Sequence, residues 1–240
     1  MAGFDRSVRR LALLAAGLAL GLGACGPAWR NGVHAAPGAP ALLGVWSLTD
    51  NDNVLFNLRL EVDGRATVAA GSRRPAERLE PLSVDALMEQ GRWYPWANGV
   101  RVDSADGWTD TILLSPAGPV QWSWAPGADR NGPPTNHGKA VRVEAGLARA
   151  VGVYRIWPSQ GVLPPYIASL LANGQAFNSI DAIQGGSWRL QGSRLTVDWA
   201  SRWRTVLELG PSLQMQAQHW APGVDRNGPP TAVRRAERLH

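Results

Sequence analysis

The feature that most constrains the fold is a twelve-residue segment that occurs twice. Residues 124–135 read WAPGADRNGPPT and residues 220–231 read WAPGVDRNGPPT, so eleven of the twelve positions are identical at a spacing of 96 residues. Repetition at a fixed period is the sequence signature of repeated structural units. The spacing therefore indicates a chain built largely from two units in tandem.

Weaker matches at nearly the same spacing extend the repeat towards the amino terminus. They pair Gly91-x-Trp93 with Gly186-x-Trp188, Val102-Asp103 with Val197-Asp198, and Gly44-Val45-Trp46 with Gly152-Val153-Tyr154. These matches place the first unit at 42–145 and the second unit at 150–240. The first unit holds extra residues within 72–90.

The hydrophobic periodicity of both units is that of β-strands. Apolar residues alternate from Val54 to Val62, and Asp63-Gly64 then predicts a type I′ turn into a second strand. About eight such strands are expected in each unit, at 43–48, 54–62, 65–68, 91–96, 99–104, 108–114, 119–125 and 139–143, and at 152–157, 166–172, 175–179, 186–190, 194–199, 203–209, 212–219 and 235–239. This spacing predicts an all-β fold of two antiparallel meander barrels or sandwiches, which either close separately or share a sheet.

Helical signal is confined to one short stretch. Ser83 can cap one or two helical turns that run to Gln90. We therefore expect a short helix at 83–90, inside the extra residues of the first unit.

The amino-terminal residues have the three parts of an export signal. Arg6, Arg9 and Arg10 precede an apolar run from Leu11 to Leu22, which is shorter than the roughly 20 residues that span a bilayer. Small residues then lead to Cys25, the only cysteine of the chain. The chain can therefore form no internal disulfide and no cysteine-based metal site.

The run from Leu22 to Cys25 resembles the lipobox of bacterial lipoproteins. The resemblance implies that 1–24 is a signal peptide and that a lipidated Cys25 becomes the first mature residue and attaches the protein to a membrane. Gly26 follows the cysteine, where the family's inner-membrane retention signal is Asp, so the expected location is the outer membrane of a Gram-negative envelope. The Pro, Gly and Ala content of 25–41 predicts a flexible tether.

The folded units resemble the calycin barrels, the lipocalins and avidins, in two respects. Gly44-x-Trp46 lies on the first predicted strand, and about eight strands follow as a meander. The second unit departs from this pattern because Tyr154 stands where those families have Trp. The resemblance implies a barrel whose mouth binds a small apolar or ring-shaped ligand.

Tryptophan dominates the aromatic residues, with twelve against three Phe and three Tyr. Four positions are aromatic in both units, and we expect them in the cores: Trp46/Tyr154, Trp93/Trp188, Trp108/Trp203 and Trp124/Trp220. In particular, Trp124 and Trp220 are expected to cap the end of the core of their own unit. The tryptophans without an aromatic counterpart are the candidate ligand-binding residues, for stacking on sugar rings or another flat ligand: Trp96, Trp122, Trp157 and Trp199.

The sequence lacks the motifs that are typical of several kinds of binding and catalysis. The arginines are scattered rather than clustered, which argues against a nucleic-acid partner. His34, His137, His219 and His240 form no zinc motif, and the chain has no nucleophile elbow or phosphate loop. The Asp-Arg-Asn-Gly segments at 129–132 and 225–228 have their glycine too early for a calcium loop and predict Asx turns. We expect no metal, no cofactor and no catalytic residue.

The sequence therefore favours a non-enzymatic envelope lipoprotein that acts as a ligand-binding or structural module. Two alternatives stay open. One is a glycan-active enzyme built on a β-barrel, for which Asp103 and Asp198 are carboxylates at equivalent positions. The other is a protein-interaction module that presents tryptophan-rich faces.

Replacing Cys25 tests the anchor. Cys25→Ala removes the thiol that carries the lipid, so we expect lipid labelling to be lost and the chain to be released to the periplasm or left unprocessed. Fatty-acid labelling and membrane fractionation measure both. A variant that still incorporates fatty acid and fractionates with the membrane contradicts the lipoprotein assignment.

Overall fold

A computed structural model describes residues 39–51, 53–70, 88–158, 165–180 and 185–239. The predicted signal peptide, Cys25, most of the predicted tether and residues 83–87 of the predicted helix lie outside this described part.

The first unit contains a helical turn and eight strands. They are α1 (Ala39–Leu42), β1 (Gly44–Asp50), β2 (Leu55–Leu60), β3 (Arg65–Ala70), β4 (Met88–Trp96), β5 (Gly99–Ser104), β6 (Thr109–Leu113), β7 (Val120–Trp124) and β8 (Asn136–Arg142). The helical turn takes up the last three residues of the predicted tether.

The second unit repeats this arrangement. It contains α2 (Ala145–Ala148), β9 (Gly152–Ile156), β10 (Tyr166–Leu170), β11 (Gln175–Asn178), β12 (Gly186–Gln191), β13 (Arg194–Trp199), β14 (Arg204–Glu208), β15 (Gln214–Trp220) and β16 (Ala232–Arg238). In the part of the chain that the structure describes, no helix has the length and apolar character to cross a membrane.

Each unit closes into its own antiparallel barrel. Within each unit, every strand pairs with the next one along the chain and the first strand pairs with the last, β1 with β8 and β9 with β16. The prediction of an all-β fold with two tandem eight-stranded units is confirmed. Of the two arrangements that the sequence left open, the structure has separate barrels rather than a shared sheet.

The first hairpin differs from the predicted type I′ turn. Gly64 has a φ of 83°, whereas Asp63 is not among the residues with positive φ, and Gly64 N–H donates to the carbonyl of Glu61 at 3.1 Å. This is a three-residue loop with glycine at the left-handed position. The Asp63 carboxylate accepts the N–H of Arg65 at 3.1 Å, which holds the aspartate in an Asx turn instead.

The predicted helix at 83–90 is wrong at its carboxyl end. Met88–Gln90 belong to β4, where Glu89 pairs with Val68 and Gln90 pairs with Thr67. A strand partner that is distant in sequence therefore overrides the local helical preference of these residues.

One end of each barrel is closed by the helical turn that precedes its first strand. Trp46 donates from Nε1 to the carbonyl of Leu42 at 2.8 Å, and Arg142 of β8 donates to the carbonyl of Leu43 at 2.7 Å. The last strand is thus tied to the chain that enters the first strand.

The second barrel repeats this closure with different residues. Tyr154 donates to the carbonyl of Ala150 at 2.8 Å, and Arg238 donates to the carbonyls of Ala148 and Val151 at 3.0 and 2.9 Å. Tyrosine therefore takes the structural place of Trp46, with its hydroxyl as the donor.

Apolar side chains fill the core of each barrel. Buried residues of the first core include Trp46, Leu48, Phe56, Leu58, Val100 and Ile112. Those of the second include Tyr154, Ile156, Leu170, Trp188, Leu195 and Leu207. Barrels of eight strands have an interior just wide enough for such filling.

The two barrels also pack against each other through apolar residues of their outer walls. Ala69 of β3, Val153 of β9 and Ile167 of β10 form a separate cluster in which none is more than 2% exposed. A side chain on the outer wall of an isolated barrel would face water. The burial of these three residues therefore shows that the two barrels pack against each other.

Hydrogen bonds to backbone carbonyls reinforce this contact. Asn57 of β2 donates from Nδ2 to the carbonyl of Leu170 at 3.1 Å, in a buried position. Arg59 donates to the carbonyl of Ala148 at 3.1 Å, the same oxygen that accepts from Arg238. Burial and the neighbouring Arg238 guanidinium lower the pKa of Arg59, as expected for two cations that share one acceptor.

Replacing Ala69 tests the coupling of the barrels. Ala69→Arg forces a long charged side chain into the buried cluster and should lower the free energy of unfolding by about 2–4 kcal/mol. Calorimetry should then resolve separate transitions for the two barrels. Val141→Arg is the control, because Val141 is 60% exposed on β8 and its replacement should change stability by no more than about 0.5 kcal/mol. Melting of Ala69→Arg that matches the wild type contradicts the interface.

Candidate functional site

Both copies of the twelve-residue segment form the same loop. The indole Nε1 of Trp124 donates to the carbonyl of Gly132 at 3.2 Å, and Nε1 of Trp220 donates to the carbonyl of Gly228 at 3.0 Å. Each tryptophan is 4% exposed. The loop therefore folds back over the ring that begins it.

These two rings are buried, as expected, but they do not cap the barrel cores. Successive side chains of a strand alternate between the two faces, and Ser123 faces inwards because it pairs with Asp110, which pairs in turn with the core residue Val102. Trp124 therefore lies on the outer wall, and neither Trp124 nor Trp220 belongs to a core cluster. The loop, rather than the core, buries them.

The Asp-Arg-Asn-Gly segments of these loops form the predicted Asx turns. The carboxylate of Asp129 accepts the N–H of Asn131 at 2.9 Å, and that of Asp225 accepts the N–H of Asn227 at 3.0 Å. Within the described ranges, no group of three or more His, Cys, Asp or Glu side chains is arranged to hold a metal ion.

The equivalent carboxylates Asp103 and Asp198 lie within strands, on the outer walls of their barrels. Asp103 accepts hydrogen bonds from Tyr94, from Thr109 at 2.8 Å and from Arg101 at 3.0 Å. Partial burial acts against ionisation, but these hydrogen bonds hold the pKa of Asp103 below its usual range. Partial burial and the bond to Asp103 raise the pKa of Tyr94 to about 12.

Asp198 has a more basic environment. It pairs with Arg204 at 2.7 Å, with Arg189 at 2.6 Å and, from the duplicated loop, with Arg226 at 3.6 Å. Burial again opposes the charge, but Arg204 and Arg189 hold the pKa of Asp198 below its usual range. Asp103 is thus paired with one arginine and two hydroxyls, and Asp198 with three arginines. Neither carboxylate is placed like a general acid.

The four candidate tryptophans do not come together. Trp96 and Trp122 belong to the first barrel, whereas Trp157 and Trp199 belong to the second. Trp199 is part of the second core. Trp157 is partly covered, because the guanidinium carbon of Arg235 lies 4.2 Å from the centre of its ring. Trp122 is the most open of the four, at 37% exposure.

Trp122 belongs to a line of neighbouring residues that crosses β4 to β8 on the outside of the first barrel, here called the outer row. Each member pairs with the next across adjacent strands, and the row consists of Tyr94, Arg101, Thr111, Trp122 and His137. Tyr94 and Trp122 are both 37% exposed. The guanidinium carbon of Arg101 lies 5.5 Å from the centre of the Tyr94 ring.

The second barrel has no such row at the same place. Its equivalent positions pair in the same way and hold Arg189, Thr196, Val206, Gln218 and Val233. Both aromatic rings and the histidine are therefore confined to the first barrel. The sequence pointed to Trp122 through its missing counterpart, but it could not show that Tyr94 and His137 lie on the same row.

Polar side chains inside the first barrel were not foreseen. Gln121 donates to Ser123, which donates to Asp110, and all three are buried. Gln121 and Ser123 alternate with outward residues of β7, and only the strand register reveals that they face inwards. This chain of polar groups belongs to the packed interior.

Two open depressions of about 410 and 290 Å³ lie on the second barrel. The larger lies along β15 and β16, and the smaller lies beside residues 209–213. Their linings contain no Asp, Glu or His, so neither supplies a pair of carboxylates for acid–base catalysis.

No protein-family model matches this chain, and no curated protein or solved structure is similar enough to match it.

Three tryptophan variants test the loop geometry. Trp124→Ala and Trp220→Ala each remove a buried ring and its hydrogen bond and should cost about 3–5 kcal/mol of stability. Trp122→Ala should cost far less, because Gln218 occupies the equivalent position of the second barrel. Thermal melts give the comparison. Equal destabilisation by all three would show that Trp122 is also a structural residue.

Proposed function

We propose that this protein is a non-enzymatic lipoprotein of the bacterial envelope that binds glycans on the outer row of its first barrel. The observation that carries the proposal is the row itself, where two half-open aromatic rings stand among hydrogen-bonding side chains. The second barrel keeps the scaffold and lacks these rings, so the fold does not require them.

The chemistry of the row fits a sugar. The flat face of a pyranose presents C–H groups that pack on an aromatic ring, while its edge presents hydroxyls. Trp122 and Tyr94 offer the rings, and Arg101 and His137 offer polar groups beside them. Thr111 between them is 1% exposed, and its hydroxyl donates to the carbonyl of Trp122 at 3.3 Å. A purely apolar partner would take the exposed His137 out of water without offering it a hydrogen bond.

The rings are also held in place before any ligand arrives. Trp122 packs edge-on against Trp124, with ring centres 6.2 Å apart and an angle of 78° between the planes. Arg101 is fixed by its ion pair with Asp103 at 3.0 Å. Because these residues stand on paired strands, binding costs little further ordering of side chains.

The outer wall is favoured over the barrel mouth that the calycin resemblance implies. The first barrel contains large buried residues such as Phe56, Leu58 and Ile112 along its length. Relationship to the calycins remains part of the proposal, supported by Gly44-x-Trp46 and by the eight-stranded meander. The lipid anchor at Cys25 rests on the sequence from Leu22 to Cys25.

The alternative of a glycan-active enzyme finds less support on this face. Asp103 contacts Tyr94 and Arg101 of the row, and it already accepts hydrogen bonds from both of them and from Thr109. Its lowered pKa keeps it ionised and therefore unsuited to donate a proton to a leaving group.

Binding to a panel of envelope glycans, measured with the full-length chain by calorimetry, tests the proposal. Trp122→Ala should weaken binding about tenfold or more, as is usual for a tryptophan at the centre of a contact. The matched control is Gln218→Ala at the equivalent position of the second barrel, which should bind like the wild type. Failure of every glycan to bind, or equal losses in both variants, contradicts the proposal.

A further inference from the structure

Five side chains meet on the inner wall of the second barrel, at the end opposite α2. This inner cluster consists of Tyr166, Trp199, Thr205, His219 and Arg234. Trp199, Thr205 and His219 are at least nine-tenths buried, at 7%, 1% and 4% exposure. The first barrel serves as a comparison because it has the same strands with different side chains. Its equivalent positions hold Phe56, Ser104, Asp110, Ser123 and Gly138.

Hydrogen bonds within the cluster engage Nδ1 of His219 and leave its Nε2 without a partner. An indole N–H can only donate, so the bond of 2.9 Å from Trp199 Nε1 makes Thr205 Oγ1 an acceptor. The Thr205 hydroxyl still has its own proton to donate, and Nδ1 of His219, 3.0 Å away, accepts it in the tautomer that carries the ring proton on Nε2. Burial and the Arg234 guanidinium lower the pKa of His219 to about 4, so the ring is neutral near pH 7. A neutral ring that accepts at Nδ1 carries its proton on Nε2.

In this tautomer Nε2–H is a buried donor, and no group of the described chain pairs with Nε2. Tyr166 lies beside the ring, with centres 6.4 Å apart, and burial raises the pKa of that phenol to about 12, so the residue adds no negative charge. A buried N–H without an acceptor is rare in folded proteins because leaving it unpaired costs free energy.

Arg234 brings a second unused donor to the same place. It pairs with the core residue Ala217, so its side chain starts from the inner wall, whereas the next residue, Arg235, lies outside against Trp157. The buried Nε of Arg234 has no hydrogen-bond partner, and no carboxylate pairs with Arg234 in the part of the chain that the structure describes. The inner cluster is therefore positive and rich in donors.

We infer that the inner cluster binds a small oxyanion, a carboxylate or a phosphate, between Nε2–H of His219 and the guanidinium of Arg234. One oxygen accepts from the imidazole and another from the arginine, which satisfies both buried donors and neutralises the charge. Guanidinium groups match the planar oxygen pairs of these anions.

The first barrel closes without these side chains, so the fold itself does not require the inner cluster. Asp110 and Ser123 stand where Thr205 and His219 stand in the second barrel, and Gly138 replaces Arg234. A carboxylate at that position repels an anion. The inferred site is therefore specific to the second barrel and is independent of the outer row, so either proposal can fail alone.

Titration of the full-length chain with sodium phosphate and with sodium acetate, against sodium chloride at equal ionic strength, tests the inference. At least one oxyanion should bind saturably, raise the melting temperature and shift the imidazole N–H signal of His219 in NMR spectra. Stronger binding of phosphate or of acetate tells which oxyanion the site takes. Melting shifts no larger than those in chloride, with an unmoved His219 signal, overturn the inference.

Two adjacent arginines provide matched variants. Arg234→Gln should weaken oxyanion binding about tenfold or more, because a charge-assisted hydrogen bond is lost. Arg235→Gln removes the same charge one residue away, on the outside, and should leave binding unchanged. Arg234→Lys keeps the charge but loses the planar guanidinium, so its oxyanion affinity should lie between those of the two glutamine variants. Near-UV circular dichroism checks that each variant is folded. Equal weakening by the two glutamine variants overturns the inference.

Discussion

The fold depends on the bonds that join the last strand of each barrel to the chain entering its first strand. An eight-stranded sheet that does not close leaves two edges of unpaired backbone groups. Here β1 pairs with β8, and β9 pairs with β16. The arginine at the end of each last strand, Arg142 or Arg238, donates to a carbonyl in or next to the helical turn that precedes the first strand of the same barrel. Because Ala148 also accepts from Arg59, the closure of the second barrel and its contact with the first share one acceptor. Barrel closure and barrel packing are thus parts of the same network.

Strand order and bounds could be predicted because they depend on local alternation and on the internal repeat. Strands β5 and β13 begin and end where the sequence predicted. The short helix α2 was missed, because four residues are too few to display a helical period. The helix proposed at 83–90 failed at residues 88–90 because pairing with β3, not local propensity, decides their conformation.

Which face of a strand points inwards could not be predicted where the polar residues lie inside. In β7 the polar and aromatic residues alternate as Gln121-Trp122-Ser123-Trp124, a pattern that predicts inward tryptophans and outward polar residues. The opposite is found, because the loop that folds over Trp124 buries its ring on the outer wall. The same holds for Arg234 and Arg235, since only the register with β15 shows which of the two faces the interior. Both candidate sites therefore depend on register, which the sequence alone leaves unspecified.

The two copies of the loop also present the same surface twice on one molecule. Their sequences differ at one position of twelve, their internal hydrogen bonds are the same, and Pro126, Arg130 and Asn131 are exposed, as are their counterparts Pro222, Arg226 and Asn227. An antibody raised against one loop would therefore meet two nearly identical epitopes on each molecule. Where the spacing lets both arms engage, it would bind with an avidity well above that of a single site.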